Sequence, residues 1–296
     1  MDYLEPYEEK RNLGLLISYL KENHKRSSGK VAFFIGAGVS KLAGYPLWKD
    51  LVEELMKDFM NSDKLIISVQ KPLIEKLYKD EKLTEALQVM KQSDKILYQD
   101  KITSIFKKCE QNPNKNVKIF EVIANFAKYN VKLITTNIDM ELENALKNKK
   151  FTDGDFSIVT LENNITDKVL YYLHGRIDLP ESWVLTEDDY ATFYYDSDKR
   201  HCDKFLEWLF KNIEVLVIIG FSLKDYEIRK KLLAKAKNIK IFWFYRNIEE
   251  EKSNLVDYLM GFADLNIKII PYLEEDGNKS NLINLLEYIF SKAFDQ

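Results

Sequence analysis

The fold class is decided by one stretch of the sequence, Val31-Ala32-Phe33-Phe34-Ile35-Gly36-Ala37-Gly38-Val39-Ser40. Its first five residues form an unbroken apolar run, which is typical of a strand covered on both faces of a parallel sheet. The glycines that follow allow the backbone to approach a phosphate group closely, and the next amides can point at an anion. A tight turn after a strand would use the same residues, so Gly36 and Gly38 alone are weak evidence for a nucleotide site.

Further apolar runs of strand length follow along the chain. We predict strands over Val31–Ile35, Lys132–Thr136, Val169–Leu173, Val215–Ile219 and Lys240–Tyr245, with Ile267–Ile270 as a candidate sixth strand. Helical patterns lie between several of these runs, at Glu141–Leu146 and Tyr226–Ala236. Strands that alternate with helices predict an α/β fold with a Rossmann-like open parallel sheet.

A long segment between the first two strands interrupts this alternation. Residues from about 47 to 128 are mostly helical in pattern, with Leu51, Leu55 and Phe59 on one face. We predict a helical insertion after the first strand that caps the sheet, with its aromatic stripes in the core. A separate amphipathic helix over about Glu8–His24 would occupy residues 1–29 and pack outside the sheet or against a neighbour, leaving residues 30–296 as the main domain.

Composition excludes several classes of protein. The 296 residues carry a net charge of −3 with both signs interspersed, which argues against direct nucleic-acid binding. Cys109 and Cys202 lie far apart with no Cys-x-x-Cys spacing, so neither a disulfide framework nor a thiolate zinc site is expected. No basic N-terminal region precedes an apolar stretch, and no run is long enough to span a membrane. We expect a cytoplasmic protein without a metal site.

Polar residues follow the predicted strands at the points where the strands end: Thr136, Asn137 and Asp139, then His174, then Gly220 and Ser222. Ligands of open α/β sheets bind beyond the carboxyl ends of the strands. Each residue also has a structural explanation. Asn137 or Asp139 could cap the next helix, Ser222 could form a capping box with Asp225, and His174 could be an ordinary buried histidine. Together with the glycine turn after the first strand, these residues mark four consecutive strand ends, and this recurrence favours a ligand site.

The four motifs resemble the sirtuin signature in the same order: Gly36-Ala37-Gly38-Val39-Ser40, Thr135-Thr136-Asn137-Ile138-Asp139, His174-Gly175 and Gly220-Phe221-Ser222-Leu223. The resemblance is closest to a bacterial branch that lacks zinc, through Gly44-Tyr45-Pro46-Leu47-Trp48 and Val184-Leu185-Thr186-Glu187-Asp188-Asp189-Tyr190. It spans roughly residues 30 to 245. Two departures argue against a protein deacylase: the family's four-cysteine zinc module is missing, and Leu47-Trp48-Lys49 replaces its Asp-Phe-Arg triplet.

The resemblance implies a sirtuin-like NAD-binding domain over residues 30–296, with NAD as its substrate. It implies an NAD+ glycohydrolase that yields nicotinamide and ADP-ribose, and a role in antiphage defence by NAD depletion. In the implied site Asn137 orients the ribose and the attacking water, and His174 is the base. Asp139 either braces its loop or faces the nicotinamide amide.

The same resemblance implies the binding residues. Gly36, Ala37, Gly38 and Ser40 would hold the pyrophosphate, and Thr136 would lie beside them. The adenosine half would be lined by Gly220, Ser222, Arg246 and Asn247, although a solvated helix cap explains the last two residues equally well.

Two other functions stay open on the sequence. One is NAD-dependent transfer to a protein, by deacylation or ADP-ribosylation, and the other is a non-catalytic module that senses NAD or ADP-ribose. An NAD hydrolase needs restraint, so we expect a homo-oligomer or a regulatory protein partner, such as an ATPase or a phage component. The helical insertion and the N-terminal helix are the expected contact surfaces, because they carry apolar stripes.

Overall fold

A parallel sheet of seven strands forms the centre of the protein. The computed structural model describes residues 6–221, 230–231, 238–246, 267–272 and 281–294. The strands are β1 Val31–Ile35, β2 Lys132–Thr135, β3 Phe156–Ile158, β4 Leu170–Tyr172, β5 Val215–Ile219, β6 Lys240–Arg246 and β7 Ile267–Tyr272. Their order in the sheet is β3-β4-β2-β1-β5-β6-β7, and every pairing is parallel. The predicted Rossmann-like α/β architecture is confirmed.

The predicted strands are all present, with small differences at their ends. β1 and β5 have the predicted bounds, β2 and β4 are shorter, and β6 and β7 are longer. Differences of one or two residues are usual at element ends. The three-residue edge strand β3 was not predicted, because Phe156-Ser157-Ile158 is too short to stand out as an apolar run.

The order of strands reverses beside β1. The chain moves from β1 to β2 and outward to the β3 edge, then returns to place β5 on the other side of β1. Strand β1 therefore pairs with β2 on one side and with β5 on the other, where Val31 lies opposite Val215. A reversal of this kind opens a crevice at the carboxyl ends of the strands, which is where ligands bind in open α/β sheets.

Helices cover both faces of the sheet. Their bounds are α1 Pro6–His24, α2 Ala37–Leu42, α3 Trp48–Met60, α4 Leu65–Lys79, α5 Leu83–Ser93, α6 Lys95–Glu110, α7 Lys118–Ala127, α8 Glu141–Lys147, α9 Glu187–Tyr195, α10 His201–Asn212 and α11 Asn281–Phe294. The predicted insertion corresponds to α3–α7. Most of the predicted helix Tyr226–Ala236 lies outside the described residues. Among the described helices, none combines the length and the apolar character needed to cross a bilayer.

The insertion and one face of the sheet share a single hydrophobic core. Leu55 and Phe59 of α3 and Ile123 of α7 are fully buried in the same cluster as Phe33 and Ile35 of β1. These stripes follow the helical period, and their burial removes a large apolar area from water. The prediction that they belong to the core is confirmed.

Helix α1 packs within this core. Leu16 and Leu20 are fully buried, and Asn12 Nδ2 donates to the carbonyl of Ile269, at 3.1 Å. Asn23 Oδ1 accepts hydrogen bonds from the amides that lead into β1, at 2.6 Å and 3.1 Å. The expectation that the apolar stripe of α1 offers a contact surface is therefore wrong for Leu16 and Leu20, because the chain itself covers them.

Candidate active site

The loop after β2 is bound to the loop after β1. Asn137 Nδ2 donates to the carbonyl of Gly36 at 2.9 Å and to Ser40 Oγ at 2.8 Å. Thr135 Oγ1 donates to the carbonyl of Ile35 at 3.0 Å and accepts from the amide of Asn137 at the same distance. These bonds fix the Asn137 side chain over the glycine turn, so Asn137 is not a helix cap.

Ser40 connects Asn137 to a buried carboxyl group. Its hydroxyl donates to Asp139 Oδ2 at 2.6 Å, while Asp139 Oδ1 accepts the amide of Glu141 at 3.2 Å. Asp139 is almost completely buried. Burial raises its pKa to about 6, although the hydrogen bonds from Ser40 and from the Glu141 amide favour the ionised form. In this arrangement Asp139 braces the loop and the first turn of α8.

The glycines at the ends of β1 and β5 allow two loops to touch. The amides of Gly36 and Gly38 donate to the carbonyls of Ile219 and Gly220, at 2.9 Å and 2.8 Å. A Cβ on Gly36 would lie 2.6 Å from the Gly220 oxygen, and Gly220 itself has φ +65°. Both amides therefore bond within the protein here, and close approach of the two loops is what these positions require.

His174 lies in a buried aromatic pocket formed by α9. Its Nε2 is 2.8 Å from the Tyr194 hydroxyl, and its ring meets the edges or faces of Tyr190, Phe193 and Tyr194 at centroid distances of 5.3–6.0 Å. Gly175 follows with φ +84°, where a Cβ would lie 2.2 Å from the Ser182 carbonyl oxygen. The His-Gly pair is thus a turn that only glycine permits, and it holds the imidazole against α9.

The structure brings the loops of Asn137 and His174 side by side. Thr135 of β2 pairs with Tyr172 of β4, and the candidate residues Asn137 and His174 each follow one of these paired residues by two positions. Backbone bonds continue on both sides, from the Leu173 amide to the Thr135 carbonyl and from Ile177 to Ile138, both at 2.8 Å. Asn137 and His174 therefore occupy neighbouring loops at the carboxyl edge of the sheet.

The aromatic residues around His174 depend on the helical insertion. Thr186 caps α9, and its amide donates to Asp189 Oδ2 at 3.0 Å. Helix α5 binds the same turn: Lys91 Nζ lies 2.7 Å from Asp189 Oδ1, and Gln88 Nε2 donates to Asp188 Oδ2 at 2.6 Å. The sequence motif that includes Tyr190 marked this helix, but nothing in the sequence predicted Tyr194 as the partner of His174.

Two buried acids beside the site were not predicted. Glu141 accepts Tyr45 Oη and Lys115 Nζ, both at 2.6 Å. Glu143 is fully buried and pairs with Arg176 at 3.1 Å and with Lys147 at 2.9 Å. Acidic residues on a short helix usually face solvent, so the burial of each of these carboxylates beside a cation depends on the tertiary fold and leaves no signal in the sequence.

The remaining predicted binding residues are placed as follows. Thr136 is half-buried in the loop after β2, and Arg246 ends β6 at the same edge of the sheet. Ser222 and Asn247 lie outside the described residues. Within the described part of the chain, no three His, Cys, Asp or Glu side chains group as metal ligands would.

Comparison with known proteins agrees with the sirtuin resemblance of the sequence motifs. Residues 131–262 match the SIR2-like domain. The chain is 25% identical over 230 residues to the NAD(+) hydrolase ThsA of Acinetobacter baumannii, which covers 74% of this chain and 40% of that protein. It is 26% identical to defence-associated sirtuin 2 of Bacillus subtilis, over 73% of this chain and 20% of that protein. For ThsA of Enterococcus faecium the identity is 26%, over 69% and 39%.

Proposed function

Building on the SIR2-like match, we propose that this chain hydrolyses NAD at the bond between nicotinamide and ribose and depletes NAD in antiphage defence. One observation carries the proposal: Asn137, Ser40 and Asp139 form a connected polar cluster beside the loop of His174. The cluster lies at the carboxyl edge next to the strand reversal, where a dinucleotide would bind. The names of the ThsA relatives and of defence-associated sirtuin 2 support the same activity and role.

The proposed substrate lies along this edge of the sheet. The pyrophosphate would rest on the turn of Gly36, Ala37, Gly38 and Ser40, with Thr136 beside it. Because the amides of Gly36 and Gly38 already bond to β5 and its loop, Ala37 would supply the amide at the start of α2. The adenosine half would contact Gly220 and Arg246, together with Ser222 and Asn247.

The chemistry requires little acid catalysis. Nicotinamide leaves with the electron pair of the broken C–N bond and departs as a neutral molecule, so its departure needs no general acid. Positive charge grows on the ribose, and the oriented Asn137 amide would hold the sugar and the attacking water in place. His174 would accept the proton as the water oxygen bonds to the sugar, with its ring oriented by the hydroxyl of Tyr194.

The direct test is product analysis with purified protein. Incubation with NAD should release nicotinamide and free ADP-ribose in equal amounts, resolved by chromatography. His174→Ala should lower turnover by at least about 10²-fold, the usual minimum contribution of a general base. Asn137→Ala should lower it by a similar factor, because a misplaced sugar or water can cost about 10²-fold in rate. Exposed His24 and Asn148 provide matched controls, and the variants His24→Ala and Asn148→Ala should retain activity.

The outcomes separate the competing functions. Transfer of ADP-ribose or removal of an acyl group only when a protein acceptor is added would instead favour a transferase or a deacylase. Tight NAD binding by calorimetry without nicotinamide release would favour a sensing module. Failure both to bind NAD and to cleave it would contradict the proposal.

Control of the activity is part of the proposal. An NAD hydrolase that is always active would harm its own cell, so we expect restraint by homo-oligomerisation or by a regulatory protein partner in the cytoplasm, such as an ATPase or a phage component. The chain covers at most 40% of the three named relatives, so these features of the whole relatives remain proposals here.

A further inference from the structure

The helical insertion carries a concentrated apolar surface. Five of the eight large apolar side chains that are exposed among the described residues lie on it. Leu65, Ile66, Val69 and Leu73 are on α4, with exposed fractions of 80%, 64%, 69% and 43%, and Ile96 on α6 is 73% exposed. An exposed cluster of this kind on a water-soluble surface usually marks an interface. We call these five residues the α4 surface.

The first half of α4 also carries no charged side chain. Residues 65–70 include no Asp, Glu, Lys or Arg, in a chain of which 31% is charged. Leu65, Val69 and Leu73 recur every four residues and so form one stripe along the helix. Beside the stripe lies a hollow of about 210 Å³ between α4 and α5, lined by Ile66, Gln70, Leu73, Val89, Gln92 and Ser93. The surface therefore offers both protruding side chains and a recess next to them.

The charges at the two ends of the stripe are complementary to each other. Asp63 precedes α4, and Lys76 continues the stripe in its last turn. Both are exposed, and no ion pair of the described residues uses either of them. If two α4 helices pack antiparallel with a two-fold axis between Val69 and Gln70, Ile66 of one copy faces Leu73 of the other. The same register brings Asp63, which lies just before the helix, close to Lys76 of the other copy, and the symmetry repeats this pair.

We propose that the α4 surface binds a second copy of this chain, with the two α4 helices antiparallel about a two-fold axis. The stripe of one copy covers the stripe of the other, and the protruding Leu65 side chains point toward the Leu73 end of the opposite hollow. The Asp63–Lys76 pairs close both ends and fix the register. This proposal is independent of NAD cleavage.

The test is the oligomeric state of the purified chain, measured by sedimentation over a range of concentrations. The wild type should associate, and Val69→Glu should raise the dissociation constant by at least about 100-fold, because the symmetry places two buried carboxylates in one interface. If the wild type forms a higher oligomer, the variant should have half its mass. Leu161→Glu is the matched control, since Leu161 is 49% exposed outside the insertion, and it should behave as wild type.

A charge exchange tests the register and the identity of the partner. Asp63→Lys and Lys76→Asp should each weaken association, and the double variant Asp63→Lys/Lys76→Asp should restore it. Far-UV circular dichroism checks that each variant is folded. A wild type that is monomeric at every concentration would overturn the proposal, even if the surface captured another protein. So would association that Val69→Glu leaves unchanged, or a double variant as weak as the single ones.

Discussion

Ser40 joins two side chains that come from separate parts of the chain. Its hydroxyl accepts from the Asn137 amide and donates to the Asp139 carboxylate, so the orientation of each group depends on the other. The sirtuin resemblance implied that Ser40 holds the pyrophosphate. In the structure its two strong bonds go to the protein, and a role in orienting Asn137 follows directly from them.

Asp139 should make stability depend on pH. Its pKa of about 6 exceeds the ordinary 3.8, so between these values the folded state holds a proton that the unfolded chain has lost. The stabilisation that comes from the protonated Asp139 side chain is therefore fully present below pH 4, and it is lost as the pH rises through 6. The difference is equivalent to about 3 kcal/mol.

The variant Asp139→Asn isolates this effect, because its amide resembles the protonated carboxyl and does not titrate. We expect the free energy of unfolding in urea to fall from pH 4 to pH 7.5 by about 3 kcal/mol more in the wild type than in Asp139→Asn. Parallel pH curves for the two proteins would contradict the assignment.

At the scale of elements, the loops after β1 and β5 are held together by glycines. The contact between Gly38 and Gly220 leaves no space for a side chain on either residue, since a Cβ on Gly220 would lie 2.6 Å from the Val39 amide nitrogen. The site therefore depends on two loops from distant parts of the sequence that meet at backbone distance.

We expect Gly220→Ala to destabilise the protein by at least about 1–3 kcal/mol, because alanine at φ +65° is strained and its methyl group would clash with Val39. Thermal unfolding measures the change. Gly14→Ala is the matched control: Gly14 is exposed within α1 with nothing near its Cβ position, so alanine there should raise stability by about 0.5–1 kcal/mol. Equal melting temperatures for the two variants would contradict this explanation.

The elements also show how far sequence patterns reach. Continuous apolar runs predicted β1 and β5, and the helical spacing of apolar residues predicted the stripe of α3. These signals lie in the local sequence because the buried positions of an element are occupied by apolar residues at the spacing of that element. The partner of His174 could not be predicted in this way. Tyr194 reaches it from α9, which lies beside the loop after β4, and the ion pairs of Glu141 and Glu143 likewise depend on tertiary neighbours that leave no local pattern.

At the scale of the whole molecule, the insertion and the sheet share one hydrophobic core. Buried residues of α3 and α7 belong to the same core as β1, and Lys91 of α5 binds Asp189 of α9. We expect a single unfolding transition in urea, with coincident curves from helical circular dichroism and from tryptophan fluorescence, since Trp183, Trp208 and Trp243 lie outside the insertion and Trp48 lies within it. Two separated transitions would show that the insertion folds as an independent unit.

The sheet centre has a consequence for a chain that is still being made. Val31 pairs with Val215, so the first strand must wait for a partner that the ribosome adds much later. At ordinary translation rates the delay is on the order of 10–40 s. Throughout that interval the nascent polypeptide contains Gly36 and Gly38 but lacks Ile219 and Gly220, whose carbonyls accept hydrogen bonds from the two glycine amides. The crevice at the end of β1 is therefore incomplete. Vectorial synthesis thus keeps the candidate site unassembled until Val215 and the residues after it in β5 have been translated.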